Sequence, residues 1–179
     1  MTGIFRRAER VFRPWKNGGG QTAEIVAWPA GADFDAFEWR ISTAIVAASG
    51  PFSTFPGVDR VITVLEGGAM VLTAGGEARK LDAGSQPYSF PGDVPAAAEL
   101  EGEPLLDFNV MVRRPLRAQV ARGPFAPASQ GVTSHARLAL LLEDRAGLSR
   151  FDLVDVMAAD PSLIAALVGT PALDVRISN

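Results

Sequence analysis

Three cations, three neutral polar residues and three carboxylates are the side chains whose types and settings could do chemistry. Lys16, Arg40 and Arg60 together have the chemistry to hold a carboxylate, because guanidinium offers a planar fork that matches two oxygens and lysine adds a point charge. Asn17, Ser42 and Asn109 could then read a ligand's neutral polar groups. Glu24, Glu66 and Asp107 are the candidates for acid/base work, each at a strand end or on an apolar strand face, where burial raises a carboxyl pKa. A structural reading stands beside each of these. Arginines at strand starts are commonly solvated or paired, and carboxylates commonly cap turns or pair with arginine. Tyr88, the only tyrosine, could donate a proton but sits in a Ser89-Phe90-Pro91 context that suits packing.

The elements that must position these groups are strands. Residues 12–25 read Phe-Arg-Pro-Trp-Lys-Asn-Gly-Gly-Gly-Gln-Thr-Ala-Glu-Ile, so Lys16 and Asn17 stand directly before three glycines. Consecutive glycines are kept where backbone takes positive φ or lies close to a ligand or another backbone. The segment has no Gly-Lys-Ser/Thr ending and no dinucleotide fingerprint, which excludes a phosphate loop. Short apolar or alternating runs punctuated by Gly, Pro and Asp then recur along the chain and predict an all-β fold, with strands at 22–28, 38–47, 60–65, 69–73, 78–81, 105–113, 137–142, 151–157 and 173–177. Gly67-Gly68, Gly75-Gly76 and Ala83-Gly84 suit hairpins or barrel corners. Residues 163–168 come after a fair helix start at Asp160-Pro161-Ser162, yet their apolar character favours a strand. The Ala, Pro, Gly and Ser-rich stretch at 117–134 reads as a crossover between two β halves.

Alternation places Glu38, Arg40 and Ser42 on one face of the second strand. In the strand at 105–113, Phe108, Val110 and Val112 form one face, and Asp107 and Asn109 interrupt the other. Such polar groups require partners, since burying them unpaired costs roughly 1–3 kcal/mol each. A barrel lumen supplies them through either a structural network or a ligand. Arg60 ends a loop at 50–59 that carries Phe52 and Phe55, the combination of rigid turns and aromatics that frames pockets.

Composition narrows the function. At 179 residues and 47% apolar content the chain can fill its own core. A net charge of −3 gives no general attraction to nucleic acid or anionic lipid, so neither a nucleic-acid nor a membrane partner is expected. Zero cysteines exclude disulfides, thiolate metal sites and cysteine nucleophiles. The single histidine, His135, lies in the linker-like region and reads as an ordinary exposed side chain, so neither a metal nor a cofactor is expected. No Gly-x-Ser-x-Gly elbow is present. The N-terminal segment lacks an apolar signal region and no spanning stretch appears, which makes the cytoplasm the expected compartment. Sheet edges make a homodimer plausible.

The motifs Pro14-Trp15-Lys16-Asn17-Gly18-Gly19-Gly20, Trp39-Arg40-Ile41-Ser42, the loop 50–60, Leu65-Glu66-Gly67 and Asp107-Phe108-Asn109-Val110-Met111 resemble, in order and spacing, the HutD/Ves family of cupin-like proteins. The resemblance covers residues 14–111 and becomes general β character beyond. It implies a bicupin, two jelly-roll-like (double-stranded β-helix) barrels in one chain. The domains would be 1–116, carrying the motifs, and 117–179, a linker and second half sharing strands with the N-terminal segment. Gly84 and Pro91-Gly92 resemble the second cupin motif, but Val94, Pro95, Ala96 and Ala97 stand where a metal cupin continues to histidine, so the implied scaffold is metal-free. The family also implies binding of a small anionic metabolite, with N-formylglutamate the proposed ligand, and a regulatory or sensing role in histidine utilisation. Carried to matching positions, Lys16, Asn17, Arg40, Ser42, Arg60 and Asn109 are the ligand-binding set. The competing readings are a metal-free isomerase, epimerase or hydrolase using Glu24, Glu66 or Asp107, and a protein-interaction module.

Overall fold

The structure, a computed structural model, describes residues 3–126 and 134–179. In chain order the elements are β1 (Ile4–Phe5), β2 (Arg13–Pro14), β3 (Gly20–Trp28), β4 (Trp39–Val46), β5 (Gly50–Phe52), β6 (Val58–Ala74), β7 (Glu77–Leu81), β8 (Tyr88–Pro91), β9 (Ala96–Arg113), β10 (Arg117–Pro124), β11 (Ala136–Leu141), β12 (Leu153–Asp155), the helix α1 (Pro161–Ala166) and β13 (Pro171–Ser178). The fold is all-β: among the described residues every strand pairs antiparallel, and the helices are α1 and one 3-10 turn at Arg7–Glu9. The chain divides into two compact units, Val11–Pro115 and a second made of Met1–Arg10 with Leu116–Asn179.

The first unit holds an eight-stranded sheet ordered β2-β3-β4-β9-β6-β7, with β5 paired to β9 and β8 to β6. β4 and β9 lie inside this order, and the near-continuous burial of β4 and of residues 105–112 in β9 marks strands covered on both faces. Two apolar clusters fill the unit. One joins Val46, Ile62, Val64, Met70, Leu72, Leu81, Phe90 and Leu105, and the other is Phe37, Val58 and Met111 with Phe55 packed against them.

The strands read separately at 60–65 and 69–73 form one continuous element, β6. Its pairing with β9 shifts register at Val64/Glu66 and again at Gly67/Ala69. Gly67, at φ +91°, absorbs the bulge because a Cβ there would meet the Pro104 carbonyl oxygen at 2.3 Å. Gly67 and Gly68 therefore bend a strand where the sequence offered a hairpin or a corner.

The second unit is a five-stranded sheet, β1-β12-β11-β13-β10, whose core includes Phe125, Ala139, Leu141, Val154, Leu167 and Ala172. Two sequence expectations are corrected here. The run 163–168 belongs to a helix and its C-terminal turn, not to a strand. Asp160 accepts a hydrogen bond from the Ser162 amide at 2.8 Å and Pro161 sits in the first turn, so the start signal outweighs the β character of residues 163–168. Leu163 and Ile164 still face the core. The stretch read as a crossover at 117–134 begins with a strand, β10, which pairs over its whole length with β13; residues 127–133 of it lie outside the described residues. Among the described residues no helix is long and apolar enough to cross a membrane.

Candidate functional site

Directly opposed residues of antiparallel strands project to the same side of a sheet, so the registers of β3, β4, β9, β6 and β8 assign one face of the first unit row by row. Arg40, Met111, Arg60 and Phe90 form one row. Ser42, Asn109, Ile62 and Tyr88 form the next, with Glu24 opposite Ser42. Ala44, Asp107 and Val64 form the third. Five of the nine sequence-selected residues are thus buried together on one face: Arg40, Ser42, Arg60 and Asn109, with Asp107 from the acid/base set. The opposite face of the same strands carries Ile41, Thr43, Phe108 and Val110, and there Thr43 Oγ1 donates to the Asp107 carbonyl at 2.6 Å, tying β4 to β9.

Arg60 is 6% exposed, and its guanidinium is ringed by Phe90 at 5.1 Å, Phe52 at 5.4 Å and Phe55 at 5.6 Å. Desolvated cation–π contacts contribute about 2 kcal/mol each, which together offset much of the several kcal/mol needed to bury a charge. Its hydrogen bonding is nearly empty. Nη1 makes one long contact, 3.5 Å to the Ser53 carbonyl, and Nε is buried without a partner. Burial lowers the Arg60 pKa to about 10, with Asp107 opposing the shift and Arg40 adding to it. Arg60 therefore remains a cation at neutral pH.

Asp107 is 2% exposed, and Oδ1 is buried without a hydrogen bond. Desolvation raises its pKa to about 7, although the positive charge of Arg60 and a hydrogen bond from the Ala44 amide both oppose that rise. In the intervening row, Asn109 Oδ1 is also buried and unpartnered. Native interiors leave few polar atoms unpaired; here three on one face, one cationic and two oxygen, find no partner within the protein. Arg40 differs, because its Nε donates to Glu24 Oε2 at 2.8 Å and its guanidinium lies over Phe34 at 4.5 Å. Glu24 is thereby engaged as a counter-ion at the rim, its side chain 45% exposed.

The remaining selected residues lie elsewhere. Lys16 and Asn17 are exposed in the turn between β2 and β3, where Asn17 Oδ1 accepts from the Gly19 amide at 3.0 Å. The glycines there serve the backbone. Gly18 takes φ +72°, and a Cβ on Gly20 would meet the Ile45 carbonyl oxygen at 2.3 Å and the Trp15 ring at 3.0 Å. Trp15 in turn donates from Nε1 to Thr22 Oγ1 at 2.7 Å, packs edge-on against Phe52 and joins the apolar cluster around Ile62, so this turn meets the site through apolar contacts of Trp15. Glu66 is half-buried at the β6 bulge, opposite Leu106. Tyr88 stacks on Phe90 and lines the face. His135 is exposed, its amide donating to the Ile177 carbonyl. Among the described residues no cluster of three His, Cys, Asp or Glu side chains could hold a metal ion. Sequence reasoning missed Phe90 and Phe34 as parts of the site. Each is an ordinary apolar residue in sequence, and only the pairing of β8 with β6 and the stacking of Phe34 on Phe55 reveal their places.

Comparison with known proteins extends the geometry. A family model described as HutD matches residues 7–159. Protein Ves of Cronobacter sakazakii is 46% identical over 108 residues, covering 59% of this chain and 58% of that protein. Protein Ves of Citrobacter koseri is 46% identical over 101 residues, covering 56% and 52%. The chain thus spans little more than half the length of these curated relatives. Among solved structures, HutD from Pseudomonas fluorescens SBW25 is 31% identical with a TM-score of 0.75, covering 98% of this chain and 97% of that one. A conserved protein of unknown function from Pseudomonas aeruginosa PAO1 is 27% identical with a TM-score of 0.76, covering 98% of both.

Proposed function

Because the chain belongs to the HutD family of cupin-like proteins, we propose that it is a metal-free bicupin that binds a small acidic metabolite through Arg60 and acts as a regulator or sensor. The observation that carries this reading is the open guanidinium, buried in an aromatic cage with one long hydrogen bond and an unpartnered Nε. An anion supplies the hydrogen bonds and the countercharge that this geometry lacks. Arg40 frames the site together with Glu24, and Ser42 and Asn109 offer neutral polar contacts. One barrel is assigned to each compact unit, a reading supported by a separate antiparallel sheet and apolar core in each. The family resemblance makes N-formylglutamate the first ligand to try, with histidine utilisation in the cytoplasm as the setting.

The test is thermal unfolding of EDTA-treated protein with N-formylglutamate, glutamate, urocanate, citrate and a neutral amide. At a hundredfold excess over Kd, binding raises Tm by roughly 5–10 °C for a chain of this size. A selective rise with one acid, absent in Arg60→Ala, is the expected result. No rise with any of the acids sinks the reading.

One observation favours a second reading. Asp107 combines a buried open oxygen with a pKa near neutrality, the profile of a general acid or base. An enzyme built on it converts an acid that it binds and loses that conversion in Asp107→Asn; an acid that binds and is recovered unchanged rules it out.

A further inference from the structure

Arg60 and Asp107 are opposite charges on one buried face that fail to close on each other. They stand two rows apart, with the Ile62–Asn109 row between them. Arg60 Nε and Asp107 Oδ1 are both buried, both without a hydrogen bond, and Asn109 Oδ1 between them is open as well. An ion pair in a dry interior gains most by direct contact, yet here both charged groups and the Asn109 oxygen in the row between them keep unpaired polar atoms, which a third, polar group could bridge.

Charge decides which group can do so. The charged and titratable groups facing Asp107 are Arg60 on β6, Arg40 on β4 with its partner Glu24 on β3, and Tyr88 on β8. Glu24 already answers Arg40. An ionised Asp107 then balances Arg60, and any arriving anion meets a neutral site with a like charge in its floor. The conflict disappears if the carboxyl gains a proton as the anion arrives.

We propose that Asp107 is a ligand-contacting residue and that the site takes a carboxylate anion together with one proton. The ligand's carboxylate seats on Arg60, and Asp107 takes a proton from solvent on Oδ1 and donates that O–H to the carboxylate; no other bond forms or breaks. The inference rests on the anion-binding reading of Arg60 and adds to it a second contact and a stoichiometry. Burial already brings Asp107 to a pKa of about 7, and a second anion beside it raises that value further. Above neutrality, affinity consequently falls about tenfold for each pH unit.

Calorimetric titration of the intact protein tests this, with N-formylglutamate and glutarate as probes, in two amine buffers of different ionisation enthalpy at pH 8. The expected result is uptake of about one proton per ligand and a roughly tenfold loss of affinity from pH 8 to pH 9. Asp107→Asn, which keeps the shape and an N–H donor, then binds without proton uptake and with an affinity that is flat in pH, while Arg60→Ala does not bind. Wild-type binding with no proton uptake overturns the inference and leaves the anion reading standing. Uptake that persists in Asp107→Asn overturns the assignment to Asp107. Absence of binding by either probe overturns the Arg60 reading and this inference with it.

Discussion

At the scale of the residue, burial of Asp107 costs the first unit stability. Its pKa lies near 7 when folded and near 3.8 when free, so the folded state binds this proton more tightly than the unfolded chain does. The contribution to stability is fully present below about pH 4 and is lost as pH rises through about 7. Asp107→Asn is expected to flatten the stability profile between those limits and to raise stability at pH 8, by an upper bound on the order of 4 kcal/mol. Denaturant melts of both proteins at pH 4, 6 and 8 measure it; parallel profiles would show that Asp107 is solvated or paired in solution. Arg60 is subject to the same economy of burial, but its aromatic cage compensates the charge without satisfying its donors, and for that reason it remains available.

At the scale of the element, positions were legible in the sequence wherever periodicity and polarity conflicted. Arg40 and Ser42 stood out because alternation set them with Glu38 on one face of their strand, Asp107 and Asn109 because they interrupt the face that holds Leu105 and Met111, and pairing of β4 with β9 brings the four together. The Gly18-Gly19-Gly20 signal was equally visible, but its purpose was not, because glycine marks close approach without saying to what. The structure answers with the Ile45 carbonyl and the Trp15 ring. Gly20→Ala is therefore expected to cost more than about 2 kcal/mol and, by displacing Trp15 from Phe52, to weaken anion binding as well; a melt together with a titration checks both. Intact stability would mean that the β2–β3 turn moves freely aside. The signals that failed were those needing long-range knowledge. A single strand interrupted by bulges looks like two, a six-residue helix has too few turns to display a period, and β10 looks like linker until β13 is beside it.

At the scale of the whole molecule, chain order and structural order differ, since the first ten residues belong with the C-terminal segment. β1 pairs with β12, and buried Asp152 accepts from the Arg7 amide at 2.6 Å, from Arg6 Nη1 at 3.2 Å and from the Ser149 amide at 3.0 Å. Removing the chain through Arg10 takes two of these three donors from a buried carboxylate and uncovers the edge of β12. Loss of one partner of a buried charge costs about 3–5 kcal/mol, so the truncated protein is expected to melt at a lower temperature, with amide exchange accelerated in β11 and β12 but not in β4 and β9. Unchanged protection of β11 and β12 would contradict this.

The construction of the Arg60 surroundings has a kinetic consequence. The polar floor stands on β4, β6 and β9, the long strands at the middle of the sheet, whereas the aromatic wall comes from the three-residue β5, the loop after it and the four-residue β8. Short outer strands open locally at far lower free energy than central ones. For the anion proposed above, strength of binding would then rest on the more firmly held floor and the traffic of ligand in and out on a wall that opens more readily, so residence time and affinity would be governed by different parts of the chain and could drift apart in evolution.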